Sequence, residues 1–115
     1  MGLLLGDVRG HRRQGQTPSQ IRNVVFEVRS PGDETYEKLP FYAAIGVETV
    51  VVVERDTKAV QVFALSGASF VLAPPSAEGW TLIAPIGVEL RAESTDGGSS
   101  LHLRLRGRPE TERAI

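Results

Sequence analysis

The sequence predicts an α+β protein with a mixed β-sheet and one main helix, followed by extra β-hairpins. Apolar, β-branched runs of strand length recur along the chain, and Gly, Pro, Ser and Asp clusters separate them. Only one segment has a helical pattern, and Gly46 follows it as a C-terminal cap. With 115 residues, of which 41% are hydrophobic and 23% charged, we expect one folded domain.

The first two strands are predicted at residues 3–8 and 21–28, joined by a polar connection. Side chains alternate between the two faces of a strand. The second strand should therefore place Val25 and Glu27 on one side, and Val24 and Phe26 on the other.

A helix is expected from residue 33 or 34 to residue 45, with Asp33 as a plausible N-cap. Pro40 lies inside this pattern and should kink the helix. Residues 49–53 form a continuous β-branched run, which is typical of a central strand buried on both faces. The helix would connect strand 21–28 to strand 49–53, so these two strands should be parallel.

The rest of the chain reads as short strands. A turn at 55–58 leads to a hairpin partner at 60–65, and further strands are expected at 69–73, 80–83, 88–92 and 101–105. We expect one domain over residues 1–106, and a loose, charged tail over residues 107–115. The aromatic residues Tyr36, Phe41, Tyr42 and Trp80 are predicted to lie in the core.

Composition excludes several classes of site. The net charge of -1 provides no global attraction to nucleic acid, so such binding would need a local patch. The absence of cysteine excludes disulfides and thiolate-bound metals, and it suits a cytoplasmic location. The N-terminal residues match neither a signal peptide nor a membrane span. His11 and His102 are far apart and lack a third ligand in a recognisable pattern, so no histidine metal site is predicted.

The candidate site begins with Glu27, an acid in an otherwise apolar run. A buried carboxylate is costly without a cation or metal. Asp7 also ends an apolar run, and the simplest antiparallel register places it opposite Glu27. Two adjacent carboxylates favour a hard cation such as Mg²⁺. Lys38, one turn into the helix, could reach the same place, and this set of groups suits phosphodiester hydrolysis.

Each of these residues also has a plain structural interpretation. Glu27 could pair with Arg22 or Arg29, Lys38 with Glu34 four residues earlier, and Asp7 could be a solvated turn residue. A basic loop beside the proposed site could contact a phosphate backbone, or it could be a solvated hairpin tip; it contains Arg9, Arg12 and Arg13.

The run EVRSPGDETYEKLPFYAAIGVETVVVVERDTKAVQVFAL, at residues 27–65, resembles the Uma-two family of bacterial endonucleases. This family belongs to the restriction-endonuclease-like, PD-(D/E)xK superfamily. The resemblance implies a restriction-endonuclease-like core in which Asp7 and Glu27 bind the metal and Lys38 is the catalytic lysine. It also implies that a flanking motif shapes the site, namely Ser30, Pro31, Asp33 and Tyr42.

The chain departs from the family pattern in three places. Gly6 precedes Asp7 where the family usually has proline, and Arg29 occupies the position where the wider superfamily has its lysine. Arg29 could assist as a phosphate contact, or it could be a surface charge. Family members usually have a helix and a strand before the first acid. Without that covering layer the sheet would expose apolar surface, which predicts a homodimer.

The resemblance implies a metal-dependent endonuclease that acts on DNA with Mg²⁺ or Mn²⁺. Two alternatives stay open from the sequence. One is a non-catalytic, truncated member of the family that serves in dimerisation or protein binding. The other is a generic β-rich interaction module.

Overall fold

The computed structural model describes residues 2–5 and 23–115, and for residues 2–5 it describes the backbone only. The described residues form two sheets. The first sheet has five strands in the order β1-β2-β3-β4-β5: β1 Gly2–Leu5, β2 Val24–Arg29, β3 Thr49–Glu54, β4 Val60–Ser66 and β5 Ser69–Leu72. The second sheet has four strands in the order β6-β7-β8-β9: β6 Thr81–Ile83, β7 Val88–Thr95, β8 Gly98–Leu105 and β9 Arg108–Ala114. The α+β prediction is confirmed.

Strands β2 and β3 pair in parallel, as predicted, and the other pairs are antiparallel. The predicted register of β1 is wrong, because Gly2 and not Asp7 lies opposite Glu27. The observed register pairs the leucines of β1 with the apolar end of β2, whereas the predicted one would have set Leu5 opposite Arg29. Asp7 itself lies outside the described residues.

The predicted helix is shorter than expected and divided into two parts. A 3₁₀ turn covers Thr35–Lys38, and the α-helix α1 covers Leu39–Ala44. Pro40 lies in the first turn of α1, where its missing N–H costs nothing, so it begins the helix and does not kink it. Gly46 ends the helix in a left-handed conformation with φ 82°, as its position predicted.

The five-stranded sheet lies between α1 and the four-stranded sheet. Strand β3 is buried on both faces, as predicted. Val50 and Val52 pack on the α1 side with Val25, Val47, Leu39 and Tyr42. Val51 and Val53 pack on the opposite side with Val24, Val62, Ile83 and Leu90. Glu27 shares its face of β2 with Val25, so it points toward α1.

Two expectations about exposed regions are wrong. The charged segment expected to be loose contains strand β9, which pairs with β8. Charged side chains are common on edge strands because they discourage pairing with another chain, so this strand resembles a tail in sequence. Phe41 and Tyr36 were expected in the core, but they are 61% and 36% exposed.

Candidate active site

Glu27 is the centre of the site. It lies on β2 with 1% of its surface exposed. Its Oε1 accepts a hydrogen bond from the Tyr42 hydroxyl at 2.6 Å and another from Lys38 Nζ at 3.3 Å. The predicted approach of Lys38 to Glu27 is therefore present, and Tyr42 completes a cluster of acid, lysine and phenol.

The local fold explains why these side chains meet. Lys38 ends the 3₁₀ turn and Tyr42 lies in α1. They are four residues apart, a spacing that puts two side chains on the same side of a helical segment. The Val47 N–H donates to the Tyr42 carbonyl at 3.0 Å, which holds the end of the helix against the start of β3. Both donors consequently face the strand that carries Glu27.

The second oxygen of Glu27 has a different environment. Oε2 is buried and has no hydrogen-bond partner among the described residues. A carboxylate oxygen removed from water without a partner is costly, so an observed instance needs a physical reason. A directly bound cation would satisfy it, and carboxylate oxygen is the ligand that Mg²⁺ and Mn²⁺ prefer. The residues present therefore fit a divalent metal.

Tyr42 serves this cluster as a hydrogen-bond donor. Burial raises the pKa of the Tyr42 hydroxyl to about 12, and the hydrogen bond to Glu27 and the negative charge of Glu27 add to the rise. The phenol therefore stays protonated at neutral pH. Lys38 differs because its side chain is 44% exposed, so part of this side chain is accessible from solvent.

Ser30 and Asp33 shape the segment that leads from β2 to Lys38. The Asp33 N–H donates to the Ser30 carbonyl at 3.0 Å, and Gly32 between them has a φ of 84°. Asp33 Oδ1 accepts a hydrogen bond from the buried Thr35 hydroxyl at 3.1 Å. That hydrogen bond is the main reason why the pKa of Asp33 is lowered. The observed contacts of both residues are with the turn.

Arg29 lies near the site but pairs elsewhere. Its guanidinium contacts Glu54 on β3 at 3.1 Å and stacks 4.8 Å above the Tyr36 ring. The alternative in which Arg29 neutralises Glu27 is therefore not the arrangement observed. The other predicted contributors lie outside the described residues: Asp7, Arg9, Arg12, Arg13 and Arg22.

The structure brings together a second group that the sequence did not predict. On the four-stranded sheet, His102 Nε2 lies 2.9 Å from Glu93 Oε2, and Nδ1 lies 2.8 Å from Glu112 Oε2. The turn at Asp96 and Gly97 could have suggested the pairing of β7 with β8, and with it the approach of Glu93 to His102. No local signal indicated Glu112, because its segment was expected to be loose.

These contacts define the class of protein. It is an α+β protein in which a buried strand acid is held by a lysine and a tyrosine from the following helical segment. No helix in the described residues is long and apolar enough to cross a membrane.

The sequence profile of the Uma2 family, described as "Putative restriction endonuclease", matches residues 4–95. The chain belongs to this family, and the resemblance stated from the sequence is confirmed. The family relationship supports nuclease chemistry at the level of the family. Searches of curated proteins and of solved structures returned no match.

Proposed function

We propose that this chain is a metal-dependent endonuclease that hydrolyses phosphodiester bonds of DNA. The observation that carries the proposal is Glu27, a fully buried acid with one oxygen held by Lys38 and Tyr42 and the other unpartnered among the described residues. Membership of the Uma2 family supports the same chemistry.

Glu27 would hold Mg²⁺ or Mn²⁺ with Oε2 as the ligand atom. The second acid would be Asp7, a role that rests on the family relationship and not on the register of β1. Such a cation, when bound, polarises the phosphate and lowers the pKa of a bound water. Tyr42 keeps Oε1 in place by its hydrogen bond, so the carboxylate cannot rotate freely. Lys38 has a half-exposed side chain and places its ammonium group beside the carboxylate, where it can orient the attacking water or stabilise developing negative charge.

DNA binding would rest on local positive charge because the net charge of the chain is -1. We assign phosphate contacts to Arg9, Arg12 and Arg13, and a further contact to Arg29. Arg29 would have to exchange its ion pair with Glu54 for a phosphate. The cytoplasm is the proposed location, since the chain lacks cysteine and the substrate is DNA.

The test is a cleavage assay on supercoiled, linear and single-stranded DNA with Mg²⁺ or Mn²⁺. Glu27→Gln and Lys38→Met should each abolish cleavage. Lys58→Met is the matched control, because Lys58 lies in the β3–β4 turn and donates to the Arg55 carbonyl. Equal cleavage by wild type and both site variants, or no cleavage by folded wild type, would reject the proposal.

A second candidate is a non-catalytic family member that acts through dimerisation or protein binding. Exposed apolar side chains favour it: Phe41 on α1 is 61% exposed, Ile45 directly after α1 is 58% exposed, and Leu72 on β5 is 50% exposed. Strand β5 lies against α1 at the edge of its sheet. Apolar surface of this kind is typical of an interface.

We place the homodimer contact on this surface of α1 and β5. Light scattering should give twice the monomer mass for wild type and the monomer mass for Phe41→Glu. A wild-type monomer at all concentrations would exclude the homodimer. If the wild-type dimer forms but cleavage fails, the non-catalytic candidate is supported.

A further inference from the structure

We propose that Glu93, His102 and Glu112 form a second metal site, which takes a borderline transition-metal cation of the Zn²⁺ class. The three residues lie on neighbouring strands β7, β8 and β9 of the four-stranded sheet. This site is separate from the Glu27 cluster, which lies on the five-stranded sheet. It does not depend on the proposed nuclease function.

The positions of the ligand atoms suit one ion. One ligand atom from each residue can be chosen so that all three lie within 4.8 Å of one another. Zinc bonds to nitrogen and oxygen measure about 2.0–2.2 Å, so neighbouring ligands of a tetrahedral site are about 3.3–3.6 Å apart. The ligand atoms lie within 4.8 Å of one another and would have to approach to about 3.3–3.6 Å. This requires a small rotation of side chains that are only partly buried.

The strands hold these residues in place. Glu93 lies opposite Ser100, two residues from His102, so Glu93 and His102 are diagonal neighbours across β7 and β8. Leu101 and Leu103 pack against the core, which makes His102 face outward. Side chains on strands are placed more precisely than side chains on loops.

The donor set determines the class of cation. One imidazole nitrogen and two carboxylate oxygens suit Zn²⁺, Co²⁺ or Mn²⁺, whereas Mg²⁺ prefers oxygen ligands alone and keeps several waters. Three protein ligands leave one position open in a tetrahedral site. Arg91 lies 3.5 Å from Glu93 and offsets part of the negative charge. The ion would have to share the Glu93 carboxylate with this arginine or displace it, because both are cations.

The family relationship does not account for this cluster. The Uma2 match ends at residue 95, so Glu93 lies within it but His102 and Glu112 lie beyond it. Two of the three proposed ligands therefore lie on the hairpin of β8 and β9, outside the matched residues.

Calorimetric titration of the full chain with Zn²⁺, in a large excess of Mg²⁺, tests the proposal. His102→Gln and Glu112→Gln should each weaken zinc binding at least about tenfold. Glu110→Gln is the matched control on β9, because Glu110 is exposed and pairs with Arg108. Glu27→Gln should also keep the zinc affinity of wild type, which separates this site from the nuclease site.

Equal zinc binding by wild type and His102→Gln would overturn the proposal and leave Glu93, His102 and Glu112 as an ion-paired cluster only. Loss of zinc binding in Glu27→Gln would overturn it as well. If His102→Gln does not fold, zinc binding at His102 is tested in the wild-type protein by NMR of the histidine ring nitrogens. Zinc should shift the His102 ring signals, assigned with the help of His11→Gln, and unshifted signals would reject the site.

Discussion

The two sheets place their charged groups in opposite ways. On the five-stranded sheet, Glu27 is 1% exposed and is covered by the 3₁₀ turn and α1. On the four-stranded sheet, the side chains of Glu93 and Glu112 are 42% and 35% exposed, and that of His102 is 19% exposed. Solvent screens the partly exposed charges on the four-stranded sheet, whereas the buried carboxylate of Glu27 depends on its immediate partners. Among the described residues, the buried carboxylate oxygen without a hydrogen-bond partner belongs to the first arrangement.

The four-stranded sheet also covers its aromatic residue Trp80 differently from the way the helical segment covers Glu27. It is 2% exposed, as its predicted core position required, but arginines cover it in place of a helix. The guanidinium groups of Arg91 and Arg104 lie 4.5 and 4.1 Å from its ring centroid. Arg104 is held by Glu89 at 2.9 Å. The four-stranded sheet therefore uses long charged side chains as its cover.

The largest effect is expected from the apolar core between the sheets. Val51→Ala should lower the free energy of unfolding by about 2 kcal/mol, because Val51 is fully buried and its loss leaves a cavity. Val71→Ala is the control, since Val71 is 56% exposed and should change stability by less than about 0.5 kcal/mol. Urea denaturation measures both. Equal losses would contradict the assignment of the core to β3.

The next effect tests how strongly Glu27 depends on its partners. Lys38→Met should destabilise the protein by about 1–2 kcal/mol, a value reduced from that of a fully buried pair because Lys38 is 44% exposed. Adding Glu27→Leu should recover much of that loss, since no charge is then left buried. Denaturant unfolding of the single and double variants checks this.

Arg55→Ala is the control for Lys38→Met, because the Arg55–Asp56 pair is exposed on both sides. It should change stability by less than about 0.5 kcal/mol. A double variant less stable than Lys38→Met alone would show that Glu27 has a structural role that its ion pair does not explain.

A smaller effect is expected on the four-stranded sheet. Glu112→Gln should cost about 1 kcal/mol in a metal-free buffer, because it weakens a partly exposed contact with His102. Hydrogen exchange should show faster opening of β9 than of β7. In Glu110→Gln, by contrast, β9 should exchange as in wild type, since Glu110 pairs with Arg108 on the exposed surface.

The smallest effect is a pH dependence in the turn before Lys38. The Thr35 hydroxyl lowers the pKa of Asp33 in the folded protein, so this contact favours folding at pH values above the ordinary pKa of aspartate. The contribution is lost as pH falls through the lowered folded pKa. NMR titration should show the pKa of Asp33 rising in Thr35→Val. Thr57→Val, in the exposed β3–β4 turn, should leave it unchanged.

Several features could be predicted because they depend on short stretches of sequence. The valines of β3 indicated a central strand, and a helical connection from β2 made the parallel pairing expected. Glu27, Lys38 and Tyr42 lie in one continuous segment made of a strand, a turn and a helix. Because the segment is short, the approach of Lys38 to Glu27 could be predicted from the sequence. The contribution of Tyr42 as a direct donor to Glu27 became visible only in the structure.

The sequence by itself determined where most strands lie, the family, and that Glu27 and Lys38 come from adjacent segments. The tertiary structure alone decided the β1 register, the burial of Glu27 Oε2 and the meeting of His102 with Glu112. The physical reason is that alternation specifies the faces of a strand, whereas register and long-range pairing depend on which apolar surfaces are buried together.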